Sequence, residues 1–509
     1  MINNSQTKDC IIIFAPAFLE AGCDLVHSLK KKIPNFKLTA ICTGGHKTVD
    51  YVLRNIDNKL LNEIYNLEEE EKKWIKDSQI DYAYIKSFED KFSNDYLGRV
   101  LTADRRVGNG YVTGGLSRPS YLADLSRKNS NTIPFTYVQG GLKLFENIFS
   151  KRKYSFVFLY VVASSPALLI SYFAKYHKIT FRCLYHSRIT DRNFLDSSPF
   201  GSLDLLNEKF NNRNFIINEQ AKKEANNFLT TFRRKPILPD YSSFFVNKKD
   251  NILKDFLLCV AYFFIFYFKI ILPKYLRQKL TKDKMQHKFF YFKRNFLKLF
   301  LSENFSKEIP NQKFVYFPLH VDPEASTMVL SPYHTNQLAI IENLSKSIPS
   351  DHVLLVKEHI PMIGFRPRGF YKTIRSFPRV ILVSPNFDQF SLISKASYVC
   401  SITGTAGLEG LLLRKKVLLL SKDTPFSFFN KGLIIQSDIS KLNKSFIDLK
   451  NTEYLDDESI LKYLGIIFQD SFKMNNGLLW EKYEEQPKLE KDKFISELTQ
   501  QMNLLIHLQ

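Results

Sequence analysis

The chain has 509 residues, which is too long for one ordinary hydrophobic core and predicts two domains of roughly 200 residues each. Its hydrophobic content of 44%, with 45 Phe and 25 Tyr, is that of a globular protein with large cores. The net charge of +21 favours an anionic partner, such as an acidic membrane surface or a charged substrate. Because no RNA-binding motif, zinc-finger spacing or basic heptad repeat accompanies that charge, the sequence predicts no nucleic-acid partner.

The six cysteines are scattered along the chain and form no Cys-x-x-Cys pair. Several of them lie in apolar, strand-like runs, which indicates reduced and buried thiols rather than a disulfide or zinc framework. The first residues lack a charged segment followed by a long apolar one, so no secretion signal is predicted. From these features we expect a cytoplasmic protein.

Apolar runs of strand length alternate with helical stretches in the first half of the chain. This alternation is typical of a parallel sheet that helices cover on both faces. The acidic run at residues 68–71 is interpreted as the solvated face of one helix. The sequence therefore predicts a Rossmann-like domain over residues 1–235. Its expected strands are residues 10–16, 36–42, 154–162 and 178–185, with a helix at 166–177.

A connector of unusual composition is predicted at residues 236–310. Residues 256–268 are 13 consecutive apolar or aromatic residues, which is shorter than the roughly 20 that a membrane span needs. Nine lysines and arginines then lie between Lys274 and Lys298 with a single acid, Asp283, and aromatic residues among them. Two interpretations stay open: a helical anchor on the anionic inner face of the cytoplasmic membrane, and a buried helix followed by a basic linker.

The alternation is cleaner in the second half and predicts a doubly wound α/β domain at residues 311–475, followed by a helical segment at 476–509. Ligands of such sheets bind outside the carboxyl ends of the strands. Distinctive polar residues occur at three of those ends, after residues 319, 357 and 402. The expected strands are residues 313–319, 352–356, 379–383, 398–402 and 416–420.

The stretch "SITGTAGLEG" (residues 401–410) places two glycines between a strand and a helix. Glycine lets the backbone approach a ligand closely, and the amides and dipole of a helix N-terminus favour an anion. Glu409 lies one turn into the helix, where it would accept hydrogen bonds from a ribose or simply complement the dipole. Because the stretch has neither the Gly-Lys-Ser/Thr of a P-loop nor a G-x-G-x-x-G spacing, a phosphate site and a tight turn both remain interpretations.

Two other strands also end in ionisable groups, in the stretches "LLVKEHIP" and "LHVDPE". The groups are Lys357, Glu358 and His359 in the first stretch, and His320, Asp322 and Glu324 in the second. Such groups are costly near a core unless they are paired or used in function. For the second stretch we expect substrate contact or proton transfer rather than metal binding, because no other His or Cys cluster completes a metal site.

In the order LHVDPE, KEHIP and TGTAGLEG, the three strand ends resemble the capsule polysaccharide biosynthesis family, which includes the bacterial β-Kdo glycosyltransferases. The resemblance covers residues 314–420 well and the first half loosely; Ile360 is inserted before the motif's proline, and Gly410 replaces an expected alanine. It implies a GT-B architecture, two Rossmann-like domains facing across a cleft, with the acceptor in the first and the donor nucleotide in the second. It also implies donor-binding roles for Lys357, Glu358, His359, Thr403, Gly404, Thr405, Ala406, Gly407 and Glu409.

A GT-B transferase commonly uses an acidic residue or a histidine as base or nucleophile. In the first half, Asp104 lies in a glycine-rich loop beside two arginines, and Asp191 lies in "YHSRITDRN" after a strand. Each of these loops also has a structural interpretation, as a capped turn held by ion pairs. The catalytic candidates are His320, Glu324, Asp104 and Asp191.

The favoured function is that of a glycosyltransferase that moves a sugar, such as Kdo from CMP-Kdo, onto a lipid-linked or glycan precursor of a capsule or lipopolysaccharide. We expect no cofactor and no metal, because the chain has no Asp-x-Asp triplet and Lys or Arg can stabilise the leaving phosphate. Two alternatives stay open. One is a sugar-nucleotide 2-epimerase of the same fold, which would act without an acceptor, and the other is a non-catalytic, membrane-associated protein of polysaccharide assembly.

Overall fold

Two β-sheets organise the chain. The computed structural model describes residues 8–77, 79–92, 97–104, 107, 132–201, 203–239, 304–474 and 483–507, with a few isolated positions between 253 and 296. In chain order the strands are β1 (Lys8–Phe14), β2 (Phe36–Cys42), β3 (Leu61–Asn66), β4 (Phe156–Leu159), β5 (Thr180–His186), β6 (Arg192–Asp196), β7 (Lys313–Pro318), β8 (His352–Lys357), β9 (Val380–Val383), β10 (Tyr398–Ser401), β11 (Lys416–Leu419), β12 (Leu433–Ile435) and β13 (Phe472–Lys473).

Helices connect these strands and cover both faces of each sheet. They are α1 (Leu19–Lys32), α2 (His46–Asn55), α3 (Leu67–Trp74), α4 (Tyr82–Lys91), α5 (Leu97–Ala103), α6 (Ile133–Lys151), α7 (Ser165–Tyr176), α8 (Asp204–Asn211), α9 (Glu219–Arg234), α10 (Ala325–Met328), α11 (Gln337–Ser347), α12 (Phe370–Ser376), α13 (Gln389–Lys395), α14 (Thr405–Leu412), α15 (Leu442–Asn451), α16 (Asp457–Asp470) and α17 (Lys488–His507). Several begin at a side chain that caps the first turn; Asp388, for example, accepts the amide of Ser391 at 2.7 Å.

The first sheet has the order β13-β6-β5-β4-β1-β2-β3. The strands from β3 to β5 are parallel, whereas β6 pairs antiparallel with β5, and β13 with β6. The side chains of β1 alternate between two hydrophobic clusters, with Ile11 and Ile13 in one and Cys10, Ile12 and Phe14 in the other. This alternation shows that apolar side chains cover both faces of the sheet.

The second sheet has the order β12-β11-β10-β7-β8-β9, and all its strands are parallel. This is the order of the doubly wound dinucleotide-binding fold. Its central strand β7 sends Phe314 and Tyr316 to one cluster and Val315 and Phe317 to the other. The predicted α/β fold, GT-B-like with two Rossmann-like domains, is confirmed.

The carboxyl-end loops of the two sheets face and contact each other. Arg99 of α5 donates to the Asp423 carboxylate at 2.6 Å and to the Val329 carbonyl at 2.9 Å. Arg188, in the loop after β5, donates to the carbonyl of Thr403, which follows β10. Two arginines of the first domain therefore bind the carboxyl edge of the second sheet.

The end of the chain returns to the first domain. Strand β13 pairs with β6, and α17 packs against α1. The Tyr483 hydroxyl donates to Asp24 at 2.9 Å, and the rings of Phe472 and Phe494 lie 5.7 Å apart. Helix α17 occupies residues 488–507 of the predicted C-terminal segment, and residues 476–482 lie outside the described residues.

The acidic run at residues 68–71 is only partly exposed to solvent. Glu71 is 2% exposed and accepts a hydrogen bond from the Tyr137 hydroxyl of α6. The prediction of a solvated face is therefore wrong for Glu71, because α6 packs over that turn of α3. Glu68, Glu69 and Glu70 remain partly exposed, as expected.

The predicted connector at 236–310 lies mostly outside the described residues, and so do its basic stretch and most of its apolar run. Among the residues that the structure describes, no helix is both long and apolar enough to cross a membrane. The helical character of the connector and its contact with a membrane surface therefore stay predictions.

The described cysteines are buried and free of disulfides, as their scattered positions predict. They are Cys10, Cys23, Cys42, Cys183 and Cys400. Burial raises the pKa of the Cys23 and Cys42 thiols to about 12. These thiols stay protonated at neutral pH and contribute to the core as small apolar groups.

Candidate functional site

Two neighbouring strands, β7 and β10, define the crevice of the second sheet. The chain leaves β7 toward β8 and leaves β10 toward β11, on opposite sides of the pair. Doubly wound sheets bind ligands at the carboxyl ends of such a pair. His320 follows β7 and Thr403 follows β10, and the Thr403 amide donates to His320 Nε2 at 3.4 Å. Two of the predicted strand ends therefore meet at the crevice.

Gly404 is a point of close approach in the loop after β10. Its amide donates to Ser401 Oγ at 2.9 Å, and its carbonyl accepts from the Gly407 amide at 3.1 Å, so that α14 begins at Thr405. A Cβ on Gly404 would lie 2.7 Å from Ser401 Oγ and 3.0 Å from His320 Nε2. Because its φ of −73° is open to any residue, glycine is required here for space rather than for backbone conformation.

The first turn of α14 is the part of this loop that a ligand can reach. Gly404 and Thr405 are partly exposed, whereas their neighbours on both sides are buried. In the described part of the chain, the Ala406 amide has no hydrogen-bond acceptor. A helix N-terminus leaves such amides open and favours an anion there.

Two other residues predicted to bind the donor are engaged with the protein itself. Thr403 is fully buried, and its hydroxyl donates to the Ser326 carbonyl of α10 at 2.9 Å. Gly407 faces the sheet, where a Cβ would lie 3.0 Å from Leu419 Cδ2. Thr403 and Gly407 therefore hold α14 against its surroundings, and their donor-binding roles stay predictions.

His320 supports the loop from beneath. It is 7% exposed, and its carbonyl accepts from Arg366 Nη2 at 2.7 Å. Burial lowers its pKa to about 3, and the charges of His359 and Arg188 act in the same direction. A ring that stays neutral, with Nε2 accepting the Thr403 amide, is a poor proton acceptor at neutral pH. His320 therefore supports the loop through its ring and its carbonyl, and its expected proton-transfer role stays a prediction.

Glu358 forms a buried ion pair with Arg366. Arg366 Nε donates to Glu358 Oε2 at 2.8 Å, and Arg366 Nη2 donates to Glu358 Oε1 at 2.9 Å. The Arg366 side chain is 3% exposed and the Glu358 side chain is 0% exposed. The Tyr371 hydroxyl and the His359 amide donate to the same carboxylate at 2.9 and 2.7 Å. With four protein donors, Glu358 fixes the loop after β8, and its contact with a donor stays a prediction. Arg366 also binds the His320 carbonyl, so this pair ties the ends of β7 and β8 together.

Lys357 and Glu409 lie on the two sides of the crevice. Among the described residues, no carboxylate lies within 4.0 Å of Lys357 Nζ, and no hydrogen bond involves that ammonium group. Burial lowers the pKa of Lys357, while the charges of Asp388, Glu409 and Glu358 act in the opposite direction. Glu409 is 3% exposed; Gln389 donates to its Oε2 at 2.6 Å, and its Oε1 has no partner in the described part of the chain. Burial raises the pKa of Glu409 to about 8.

A Glu409→Gln variant is expected to be more stable than the wild type at alkaline pH. Because the pKa of Glu409 is raised, the folded chain holds this proton more tightly than the unfolded chain, and stability falls as the pH rises from about 5 to about 8. Glutamine keeps an oxygen that accepts from Gln389 and does not titrate. Thermal unfolding across this pH range should show a melting-temperature advantage that grows with pH. A difference that is constant with pH would contradict the assignment.

The remaining catalytic candidates lie in different places. Glu324 is half-buried at the start of α10, where its Oε2 accepts from Ser326 Oγ at 2.7 Å, next to the Thr403 loop. Asp104 is 1% exposed in the first domain, and the Tyr137 hydroxyl lies 3.4 Å from its Oδ2. Asp191 lies in the β5–β6 loop and accepts from the Thr190 hydroxyl at 3.2 Å. Within the described residues, no three His, Cys, Asp or Glu side chains come close enough together to hold a metal ion.

Two residues of this site escaped the sequence reasoning. The partner of Glu358 is Arg366, eight positions later, and the partner of Glu409 is Gln389, on the neighbouring helix α13. A signal for the first existed, because a carboxylate at the end of a buried strand requires a cation close by. Gln389 has no such signal, since its contact depends on how α13 packs against α14.

Residues 226–443 match the family described as capsule polysaccharide biosynthesis protein. No protein with a curated function matches this chain.

Three solved structures illustrate what the fold is similar to. Two are KpsC structures from Thermosulfurimonas dismutans. The beta Kdo 2,4 transferase is 12% identical over 61% of this chain and 87% of that chain, with a TM-score of 0.33. The beta Kdo 2,7 transferase is 13% identical over 70% of this chain and 88% of that chain, with a TM-score of 0.35. The third is the UDP-GlcNAc 2-epimerase from Neisseria meningitidis bound to UDP-GlcNAc, at 12% identity, 94% of this chain, 98% of that chain and a TM-score of 0.26. The matched segment 226–443 contains all three polar strand ends, and over these residues the resemblance to the capsule polysaccharide biosynthesis family is confirmed.

Proposed function

We propose that this chain is a glycosyltransferase that transfers a sugar from a nucleotide donor to a capsule- or lipopolysaccharide-type precursor. The donor proposed is CMP-Kdo, because the family that the three motifs resemble includes β-Kdo transferases. The acceptor is a lipid-linked or glycan precursor on the inner face of the membrane. The proposal requires an anion site at the carboxyl edge of the second sheet and an open path to an acceptor in the first domain.

The observation that carries this proposal is the pairing of an open helix N-terminus with an ammonium group that forms no direct ion pair among the described residues. Gly404 is partly exposed and lets the loop pack closely on Ser401 and His320. The Ala406 amide lacks an acceptor in the described residues, and Lys357 has no carboxylate within 4.0 Å there. A partly buried, uncompensated positive charge is costly unless an anion joins it. A nucleotide phosphate supplies that anion.

The transfer step breaks the bond between the sugar's anomeric carbon and the donor phosphate and forms a bond to an acceptor hydroxyl oxygen. The electron pair leaves with the phosphate, and Lys357 with the amides of α14 stabilises the charge that develops there. The hydroxyl proton passes to a carboxylate, and of the candidates Glu324 lies beside the crevice. In this proposal the protein's cations take the place of a metal ion at the phosphate.

A Lys357→Gln variant is expected to bind CMP about 10- to 100-fold more weakly than the wild type, because a charge-assisted contact to phosphate contributes about 1.5–3 kcal/mol. Titration calorimetry with CMP and with UDP measures the loss. The matched control is Lys346→Gln, which removes an exposed ammonium from α11 of the same domain and should leave both affinities unchanged. Equal affinity of wild type and Lys357→Gln would contradict the assigned phosphate contact.

The same protein distinguishes the alternative functions. Incubation with CMP-Kdo and a glycan acceptor should release CMP only when the acceptor is present. Formation of an epimer from a UDP-sugar without an acceptor would indicate a sugar-nucleotide 2-epimerase instead. No binding of either nucleotide by the wild type would favour the non-catalytic assembly protein.

A further inference from the structure

The loop between β5 and β6 has a strained backbone that faces the second domain. Strand β6 turns back antiparallel to β5, so residues 187–191 lie at the carboxyl edge of the first sheet. Within this loop Arg188 and Thr190 have φ values of +68° and +48°. Residues other than glycine rarely adopt this left-handed region, and such strain persists only where the surroundings enforce it.

Hydrogen bonds within the loop enforce this conformation. The Arg188 amide donates to His186 Nδ1 at 2.8 Å, and His186 Nε2 lies 3.1 Å from the Thr190 carbonyl, to which it donates. Ser187 Oγ in turn contacts both the amide and the carbonyl of Ile189, at 3.1 and 3.2 Å. The imidazole therefore bridges the loop and fixes the direction in which the Arg188 side chain leaves it.

The Arg188 guanidinium reaches the first turn of α14 from the first domain. Its Nη1 donates to the Thr403 carbonyl, and the group lies 5.8 Å from the centre of the Phe426 ring, against which α14 packs. Its charge acts on both His320 and Glu409, which lie on the two sides of the Thr403 loop. Lys357 approaches the same turn from within the second domain, since its charge also acts on Glu409.

We propose that Arg188, a residue of the first domain, binds the anionic group of the donor. When a nucleotide sugar binds, a phosphate oxygen replaces the Thr403 carbonyl at the guanidinium. This inference rests on the proposed function and assigns one residue of the first domain to the donor site. A guanidinium–phosphate contact is charge-assisted and about twice as strong as one to a neutral carbonyl, and guanidinium geometry permits two parallel bonds. The donor would then bind both domains at once.

The test compares the wild type with Arg188→Gln, Arg188→Lys and the control Arg213→Gln, which removes the same charge from an exposed position of the same domain. Calorimetry measures the affinity for CMP directly. The affinity for cytidine, which lacks the phosphate, is measured by its displacement of bound CMP. We expect Arg188→Gln to weaken CMP binding about 10- to 100-fold and cytidine binding less than about twofold. Arg188→Lys should lie between, because it keeps the charge but loses the fork geometry, and Arg213→Gln should match the wild type.

Two outcomes overturn this inference without affecting the proposed function. In the first, Arg188→Gln binds CMP as tightly as the wild type does. In the second, Arg188→Gln loses the same affinity for CMP and for cytidine, which would show that Arg188 only supports the loop. A wild type that binds no CMP or UDP would instead overturn the proposed function, and this inference with it. Melting temperatures of the four proteins show whether the variants fold, and the Arg188→Lys series preserves the comparison if Arg188→Gln unfolds.

Discussion

A Glu358→Ala chain should lose about 3–5 kcal/mol of unfolding free energy, because the change leaves the Arg366 guanidinium buried without its counter-charge. The loss should be large because the removed carboxylate also accepts hydrogen bonds from the Tyr371 hydroxyl and the His359 amide. These groups, like the guanidinium, are then buried without a partner, and each carries a desolvation cost. Urea unfolding at neutral pH measures the difference.

The matched control is Glu342→Ala, which breaks the exposed Glu342–Lys346 pair on α11 of the same domain. An exposed pair four residues apart on a helix contributes about 0.3–0.5 kcal/mol, so the control should remain close to the wild type. A Glu358→Leu/Arg366→Leu double variant should regain part of the loss because it leaves no unpaired charge. A single Glu358→Ala variant as stable as the control would show that this ion pair does not hold the strand ends together.

Gly404→Ala is expected to abolish most nucleotide binding while the two sheets remain folded. The new Cβ would lie 2.7 Å from Ser401 Oγ and 3.0 Å from His320 Nε2. Ser401 can rotate only by giving up its bond to the Gly404 amide, and His320 is held by Arg366 and Thr403. The loop must therefore move, at a cost of about 1–3 kcal/mol. Calorimetry with CMP should show at least a 10-fold loss of affinity, the equivalent of about 1.4 kcal/mol.

Gly98→Ala provides the control for that change. Among the described residues, no atom lies within 4 Å of a Cβ placed on Gly98, and the residue is exposed in helix α5. Alanine there should be neutral or raise stability by up to about 1 kcal/mol, since glycine is a poor helix former. If Gly404→Ala bound CMP like Gly98→Ala, the space around Gly404 would have no role in ligand binding.

The buried histidine and the ion pair show why motif positions do not reveal roles. His320, Glu358 and Thr403 all follow apolar strands and all lie at the crevice, as their positions predict. Each is buried and bonded to protein groups, and we expect these residues to shape the site more than to contact a ligand. Of the predicted donor-binding residues, Lys357, Gly404 and Thr405 are partly exposed and His359 is exposed; Arg188 of the first domain is also partly exposed. Exposure decides which motif residues can touch a substrate, and exposure depends on tertiary packing.

The edge strands β3, β12 and β13 escaped prediction, whereas the edge strand β9 lies within its expected range of 379–383. Strand β3, with the sequence LNEIYN, has six half-buried residues and no continuous apolar run. Strand β13 has only two residues and exists because it pairs with β6, far earlier in the chain. Strand β3 has one paired side and partial exposure, so its sequence lacks the hydrophobic signal of central strands such as β2, whose predicted bounds of 36–42 are confirmed.

By itself the sequence determined the α/β class, the central strands of both sheets and the polar character of three strand ends. These features follow from local hydrophobic periodicity and from the polarity change where a buried strand stops. Only the tertiary structure decided that Arg366 neutralises Glu358, that His320 lies beneath Gly404, and that Arg188 crosses to a loop 215 residues later in the chain. Such pairings depend on which loops the two sheets bring together, and no local pattern in the chain encodes that.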